Sequence, residues 1–217
     1  MLDMADSLEK LIDEYRSNFY DGLEKYINSY RELDYEELIK NTSYALECSN
    51  PNEDITKRKF DKRHGHQIRR TNKTLDDLYT RLNSIKEELK IRVNSNCTFE
   101  DLYNYIASEI YIENNKINGV GPLFLYDTSV RIGSYFNILP NKKVYIHSGP
   151  EKGLETLFSL KLKKDEVSID IDTFENKKLL ELKAYHIENF LCIYKDGKLK
   201  NKKKIKCYYC NEDNDPE

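Results

Sequence analysis

The chain has 217 residues, 34% of them charged and 39% hydrophobic, with a formal net charge of −3 at pH 7. This length suits one larger domain or two small ones that bury their own hydrophobic cores. The composition excludes general electrostatic adhesion to nucleic acid, because the net charge is slightly negative, and it excludes membrane insertion, because no apolar run is long enough to cross a bilayer.

The first 50 residues have the pattern of amphipathic helices. Apolar residues recur at three- and four-residue steps from Ser7 to Leu46, which is the helical period. Asp34 is placed to cap a second helix in this stretch. We therefore interpret residues 1–50 as an N-terminal helical region. Its aromatic residues either pack inside the chain or anchor a homo-oligomer or protein partner. The candidate anchors are Tyr15, Phe19, Tyr26 and Tyr30.

Residues 51–73 have the composition of a basic linker or arm. Lys and Arg crowd residues 57–73, where Asp61 is the only acid. Such a run is either a solvated linker or an arm that contacts phosphates. His64 and His66 lie within it and could assist phosphoryl chemistry, but no carboxylate cluster accompanies them, so no metal site is predicted. The candidate phosphate-binding side chains are Lys62, Arg63, Arg69 and Arg70.

Residues 74–197 have the pattern of a helical core. Apolar spacing predicts a helix from about Thr74 to Val93. Thr98, with Asp101 three positions into the following helix, is typical of an N-cap pair that begins another. Pro122 suits the first turn of a third helix, since its missing N–H costs nothing there. That third helix is predicted to end near residues 137–140.

The connection before the third helix is the hexapeptide Ile117-Asn118-Gly119-Val120-Gly121-Pro122. Gly119 and Gly121 allow a tight reversal with positive φ angles and keep side chains away from a ligand. The amides that follow lie at a helix N-terminus, where a phosphate is a natural ligand. Ile117 and Val120 are predicted to fill the space between the two helices. A tight helix–helix corner without any ligand is the alternative interpretation.

The segment from about Thr98 to Phe136 resembles the helix-hairpin-helix motif of DNA repair and recombination proteins. Gly119, Val120 and Gly121 match the hairpin of that motif. The resemblance implies contact with a DNA backbone without sequence specificity. Leu125 departs from the motif, which usually has Ala at this position because the helices approach closely.

Base-excision glycosylases are among the families with this motif, but their activity is not carried over. Asp127 follows Gly121 too closely to be their catalytic Asp. Asp127 and Arg131 are four residues apart on one helix, so a modest salt bridge is expected. The run from Gly119 to Gly153 also resembles uncharacterised bacterial proteins, and this resemblance implies no activity.

The C-terminal third contains the only predicted β structure, near residues 144–147 and 167–172. Ser148-Gly149-Pro150 is predicted to begin a helix, with Ser148 as its cap or as a hydroxyl group of a site. His147 lies where an acid or base could act. A further helix is predicted from Leu179 to Tyr194, with His186 as a surface residue.

The chain has five cysteines. An odd number without a hydrophobic leader predicts reduced thiols and a cytoplasmic location. Cys48 and Cys192 lie on apolar faces and are expected to be inert. Cys207 and Cys210 have the spacing of half a zinc site, but a structural zinc needs four ligands, so neither a metal nor a cofactor is predicted. Residues 198–217 are expected to form a flexible, Lys-rich tail.

These patterns predict a mainly α, multi-helix globular fold with a helix-hairpin-helix element and a minor β component. The leading functional hypothesis is a protein that binds DNA or RNA backbones through Gly119–Gly121 and the basic segment. A helical interaction or oligomerisation module is the second hypothesis. The third is an enzyme that acts on nucleic acid or a nucleotide and uses His64, His66 or His147.

Overall fold

The chain folds into a mainly helical protein with one small antiparallel sheet. The computed structural model describes residues 4–45, 71–93, 96–112 and 116–198. Two compact units are present. Unit 1 comprises Met1–Tyr26 and Pro140–Glu217, and unit 2 comprises Ile27–Leu139. The predicted basic arm and tail lie almost entirely outside the described residues.

Unit 1 begins with a helix that contains a π-helical turn. Helix α1 (Met4–Tyr15) leads into π-helical residues Arg16–Tyr20, followed by α2 (Asp21–Ser29). The residues that flank the π-helical turn, Tyr15 and Asp21, both have right-handed helical φ and ψ angles, so the backbone stays helical throughout. Because a π-helix bonds residue i to i+5, it brings side chains five positions apart onto one face.

In its described residues, the rest of unit 1 combines a two-stranded sheet with three α-helices and a short 3-10 helix. Strand β1 (Lys143–Tyr145) pairs antiparallel with β2 (Ser168–Asp170), and Val144 lies opposite Ile169. This pairing confirms the two predicted β segments. The helices of this part are α7 (Ser148–Phe158), α8 (Lys177–Leu180) and α9 (Ala184–Ile193). The predicted helix over 179–194 is therefore interrupted, since Lys183 has extended backbone angles and begins α9 as its N-cap.

Helix α9 is the centre of the unit 1 core. It packs against α7 and β1, and it approaches the α7 backbone closely at two glycines. A Cβ added at Gly153 would lie 2.1 Å from the carbonyl oxygen of Leu191, and one at Gly149 would lie 2.8 Å from the Sγ of Cys192. The core residues of this unit are Ile12, Tyr15, Phe19, Val144, Ile146, Leu154, Phe174, Leu179, Leu182, Ala184, Ile187, Phe190, Leu191 and Tyr194.

Unit 2 is helical, and side chains cap the helices that begin at Tyr35, Asn72 and Phe99. It contains α3 (Tyr35–Tyr44), α4 (Asn72–Arg92), α5 (Phe99–Ile110) and α6 (Pro122–Tyr135). The Asp34 side chain accepts a hydrogen bond from the Glu37 amide at 2.8 Å, which confirms the predicted cap. Thr98 and Asp101 form a reciprocal capping box, as the sequence predicts.

Helix α6 is buried along most of its length, from Phe124 to Ser134. It packs against α3 and α5. It ends at Tyr135, earlier than predicted, because Asn137 adopts a left-handed φ of 59° and the Ile138 amide turns back to the Gly133 carbonyl at 2.7 Å. Asp127 and Arg131, four residues apart, are 7% and 1% exposed, so both side chains lie on a buried part of the helix.

Within the described ranges, no helix is both long enough and apolar enough to cross a membrane.

We expect Gly153→Ala to destabilise the protein, since its methyl group would collide with the Leu191 backbone oxygen. Overpacking of this kind costs about 1–3 kcal/mol, measurable by chemical denaturation. Gly121→Ala is the matched control, because a Cβ there meets nothing within 4 Å. Equal stabilities for the two variants would contradict the close approach of α7 and α9.

Candidate functional site

The turn before α6 places glycine backbone at the surface of unit 2. Gly119 has a φ of 91°, a conformation that L side chains rarely adopt. Asn118 and Gly119 are exposed, whereas Ile117 and Val120 are buried at 5% and 3% exposure. The predicted filling role of the two apolar residues is consistent with this burial. The residues that flank the exposed backbone thus hold the turn in place.

Gly121 lies at the N-cap of α6 and differs from the expectation for the turn. Its φ is −96°, so only Gly119 requires a positive φ. Gly121 has no side chain with which to cap α6, and Pro122 occupies the first position of the helix, as predicted. A Cβ at Gly121 would meet nothing within 4 Å. The first amides of α6 therefore have no side-chain partner at the N-cap position, and the positive end of the helix dipole lies at this end of the helix.

The first turn of α4 lies beside this glycine turn. The Thr74 hydroxyl donates a hydrogen bond to the Asn118 carbonyl at 3.0 Å. Thr71 caps α4, and Lys73 in the first turn is exposed and forms an ion pair with Asp77 at 2.8 Å. The start of α4 directly follows the basic segment in sequence. The first turn of α4, which follows the basic segment in sequence, therefore lies next to the glycine turn.

Several predicted site residues lie outside the described residues. They are Lys62, Arg63, His64, His66, Arg69 and Arg70 in the basic segment, and Cys48, Cys207 and Cys210. Among the residues that are described, no group of His, Cys, Asp and Glu is arranged to hold a metal ion.

His147 forms a pair that the sequence did not predict. Its Nε2 lies 3.2 Å from Oε1 of Glu188 on α9, and each of the two side chains is 13% exposed. His147 is the N-cap of α7, but its side chain makes no capping hydrogen bond. Ser148 is the first residue of the helix and not its cap, so the predicted capping role of Ser148 is wrong.

His186 is fully buried at 0% exposure, so its predicted surface position is wrong. Its Nε2 lies 2.7 Å from Oε1 of Glu24, and its Nδ1 lies 2.8 Å from the Tyr15 hydroxyl. The Asn189 side-chain amide donates to the same hydroxyl at 3.0 Å. The Tyr20 ring stacks on the imidazole, with centroids 3.9 Å apart and planes 4° from parallel.

The π-helical turn explains why no sequence pattern predicts this cluster. Tyr15 and Tyr20 are five residues apart, a spacing that diverges on an α-helix but shares a face on a π-helix. Glu24 then follows Tyr20 by one α-helical turn. All three residues contact His186, which comes from the other end of the chain. A search for three- and four-residue spacing does not detect this alignment.

The protonation states of this cluster follow from burial and hydrogen bonding. Burial lowers the pKa of His186 to about 4, although Glu24 opposes this shift. Burial alone would raise the pKa of Glu24, but hydrogen bonds from Tyr185, His186 and Lys183 lower it. At neutral pH the carboxylate is ionised and the imidazole is neutral. Nε2–H therefore donates to Glu24, and Nδ1 accepts from the Tyr15 hydroxyl.

Protonation of this cluster should lower the free energy of unfolding in acid. The pKa of His186 is lowered from 6.5 to about 4, so its contribution is complete above pH 6.5 and is lost as pH falls toward 4. We expect the free energy of unfolding, measured by urea titration at several pH values, to decline across this window. In His186→Gln, which cannot titrate, that decline should shrink. An unchanged pH dependence would contradict a buried neutral imidazole.

Three of the four proposed aromatic anchors of the N-terminal helices are buried within the chain. Tyr15, Phe19 and Tyr30 are at most 3% exposed, and Tyr26 is half-buried. Their spacing reflects packing inside the chain, because an apolar stripe on a helix buries itself wherever its own chain offers a core.

Cys192 is less buried than the core thiol that the sequence predicts. It is half-buried, in no disulfide, and it lies against Gly149 at the N-terminus of α7.

No family model, curated protein or solved structure matches this chain.

Proposed function

We propose that the chain binds the phosphate backbone of nucleic acid, DNA above all, at the turn formed by Gly119, Val120 and Gly121. The observation that carries the proposal is the Thr74–Asn118 hydrogen bond. It joins the exposed glycine turn to the start of α4, which the basic segment enters. We propose that the basic segment, which precedes α4 in sequence, supplies positive charge to this exposed turn.

The glycine turn supplies the geometry for such a contact. Gly119 and Gly121 leave the backbone without side chains, and the N-terminus of α6 has no side-chain cap. An oxygen of a phosphate can accept hydrogen bonds from amides of this kind, and the helix dipole favours its charge. The buried side chains of Ile117 and Val120 would keep the amides in position without ligand.

The basic segment supplies the charge that the turn lacks. Lys62, Arg63, Arg69 and Arg70 provide cations on a chain whose net charge is −3. Contacts of this kind depend on the polyanion and not on base identity, so DNA and RNA backbones both qualify. The resemblance of residues 98–136 to a helix-hairpin-helix motif favours DNA, and with it a cytoplasmic DNA-binding protein.

Gly121→Asp should separate binding from folding. An Asp at an N-cap accepts hydrogen bonds from the first helical amides and stabilises the helix. Its carboxylate would occupy the phosphate-binding position and repel the phosphate. We expect the Kd for a fluorescent duplex, measured by anisotropy at low salt, to rise about tenfold or more, equivalent to about 1.4 kcal/mol, with an unchanged or higher Tm.

Gly121→Ala is the matched control. Its methyl group enters open space and adds no charge, so its Kd should stay within about threefold of the parent value, well under the tenfold step of 1.4 kcal/mol. If Gly121→Asp binds as tightly as Gly121→Ala, the turn does not contact phosphate. If the parent protein shows no binding to duplex or single-stranded DNA or RNA at low salt, the whole proposal fails.

The basic segment can be tested through the salt dependence of binding. Each phosphate contact adds roughly 0.9 to the slope of log K against log salt concentration for B-DNA. The double variant Arg69→Ala, Arg70→Ala should lower that slope by up to about two. Lys142→Ala with Lys143→Ala in unit 1 is the control pair, exposed to different degrees but outside unit 2. Equal loss of slope in both pairs would argue against a contact by the basic segment.

A further inference from the structure

The small sheet of unit 1 has an outer edge at β2. The Ile171 amide donates a hydrogen bond across the strand pair to the Lys142 carbonyl at 2.8 Å. Because bonded positions alternate in an antiparallel pair, the backbone groups of Ser168 and Asp170 point away from β1. Among the described residues, none forms a hydrogen bond with these outward groups. The edge can therefore accept another strand.

The side chains along this edge form an apolar row and an acidic row. Ile169 and Ile171 are half-buried and pack against the unit 1 core. Asp170 and, in the 3-10 helix that follows, Asp172 are exposed. Lys143 lies opposite Asp170 on β1, but neither carboxylate forms an ion pair with a described cation. A strand that suits this edge has apolar residues alternating with basic ones.

The C-terminal segment 204–210 has this alternating sequence. It reads Lys-Ile-Lys-Cys-Tyr-Tyr-Cys and lies outside the described residues. Basic and apolar side chains alternate from Lys204 to Cys207, which is the period of a strand. Ile and Tyr are both enriched in strands. The segment thus matches the two rows of the β2 edge in polarity and in charge.

The described chain ends close to the C-terminal end of β2. A Cβ added at Gly197 would lie 3.5 Å from Cγ2 of Thr156 on α7. Two residues later on α7, the Phe158 ring packs against Phe174 with centroids 5.1 Å apart. The Phe174 amide in turn donates to the Ile171 carbonyl at 3.1 Å. These contacts place the start of the C-terminal segment near the residues that follow β2.

We propose that residues 204–210 add a third, antiparallel strand to the outer edge of β2. Residues 199–203 form the connection, and five extended residues span at most about 18 Å. Because the connection starts near the C-terminal end of β2, the added strand runs in the opposite direction. The tether gives the segment a high effective concentration at the edge. The chain thereby covers an edge that would otherwise pair with a second copy.

One register matches both rows of side chains. With Lys206 opposite Asp170, the two residues exchange both backbone hydrogen bonds, since the Asp170 groups point outward. Cys207 then lies opposite Ile169, and both side chains are on the core face. A shift by one residue would place lysines on that face, so the side chains specify the register.

The added strand is independent of the nucleic-acid proposal. The β2 edge belongs to unit 1, whereas the glycine turn belongs to unit 2. Failure of nucleic-acid binding therefore leaves the strand proposal standing, and an uncovered β2 edge leaves the nucleic-acid proposal standing.

A disulfide in the full-length chain tests the register. Ile169→Cys places a thiol opposite Cys207 at a non-hydrogen-bonded position, where Cα atoms lie about 4.5 Å apart, within the range of a disulfide. We expect mild oxidation to join position 169 to Cys207 within one molecule, as identified by peptide mass spectrometry. Ser168→Cys is the matched control. Its side chain points to the other face, so it should join Cys207 far less.

Three outcomes of this cross-linking would overturn the proposal. The first is equal joining of Cys207 from positions 168 and 169. The second is a preference of position 169 for Cys210 over Cys207. The third is a covalent dimer, which would show that a second copy occupies the edge.

Amide hydrogen exchange tests the same strand while the core stays unchanged. The outward amide of Ser168 should exchange slowly in the parent protein, because the added strand bonds it. Lys206→Glu should speed this exchange by roughly fivefold, because like charges then lie opposite each other. Adding Asp170→Lys to that variant should restore the slow exchange. Lys202→Glu makes the same charge change before the added strand and should have no effect.

The Ile171 amide provides the control for folding. It is bonded to Lys142 on the inner side of β2, so it should stay protected in every variant that folds. Fast exchange at Ser168 in a parent protein with a protected Ile171 amide would overturn the proposal. Equal effects of Lys206→Glu and Lys202→Glu would also overturn it.

Discussion

The position of α9 is the constraint on which unit 1 depends. Gly149 and Gly153 lie one turn apart on α7, and at both positions the facing helix occupies the space of a Cβ. Larger residues there would separate the two helices. The close approach fixes which side chains of α9 meet which neighbours, and therefore both the buried His186 cluster and the His147–Glu188 pair.

The His186 cluster offsets the free-energy cost of burying a polar imidazole in the core. A buried imidazole must have its polar atoms satisfied, and here Glu24 and Tyr15 contact the two ring nitrogens. The π-helical turn makes this possible, because it places Tyr15 and Tyr20 on one face with Glu24 one turn later. Neutral imidazole is the form that this environment stabilises, and it ties the first helical stretch to the last one within unit 1.

In unit 2 the glycine turn joins local conformation to tertiary packing in a similar way. Ile117 and Val120 are buried and hold the turn from beneath, while the backbone at Asn118 and Gly119 stays exposed. Within the turn, Gly119 has a positive φ, whereas Gly121 is the N-cap of α6 with a negative φ. The hydrogen bond from Thr74 to Asn118 then couples this turn to α4. The conformation of the turn and its contact with a distant helix thus determine the same small surface.

The sequence by itself determined the local elements of this protein. Spacing and capping residues predicted α4, α5 and the start of α6. β-branched and aromatic residues predicted the first strand and alternation the second, because these signals act between residues close in the chain. Tertiary structure alone decided the burial of His186, the pairing of His147 with Glu188 and the place of Cys192 against Gly149. Those contacts join residues 40 or more positions apart in the chain, and a π-helical turn or a backbone approach at glycine has no period that a sequence pattern can reveal.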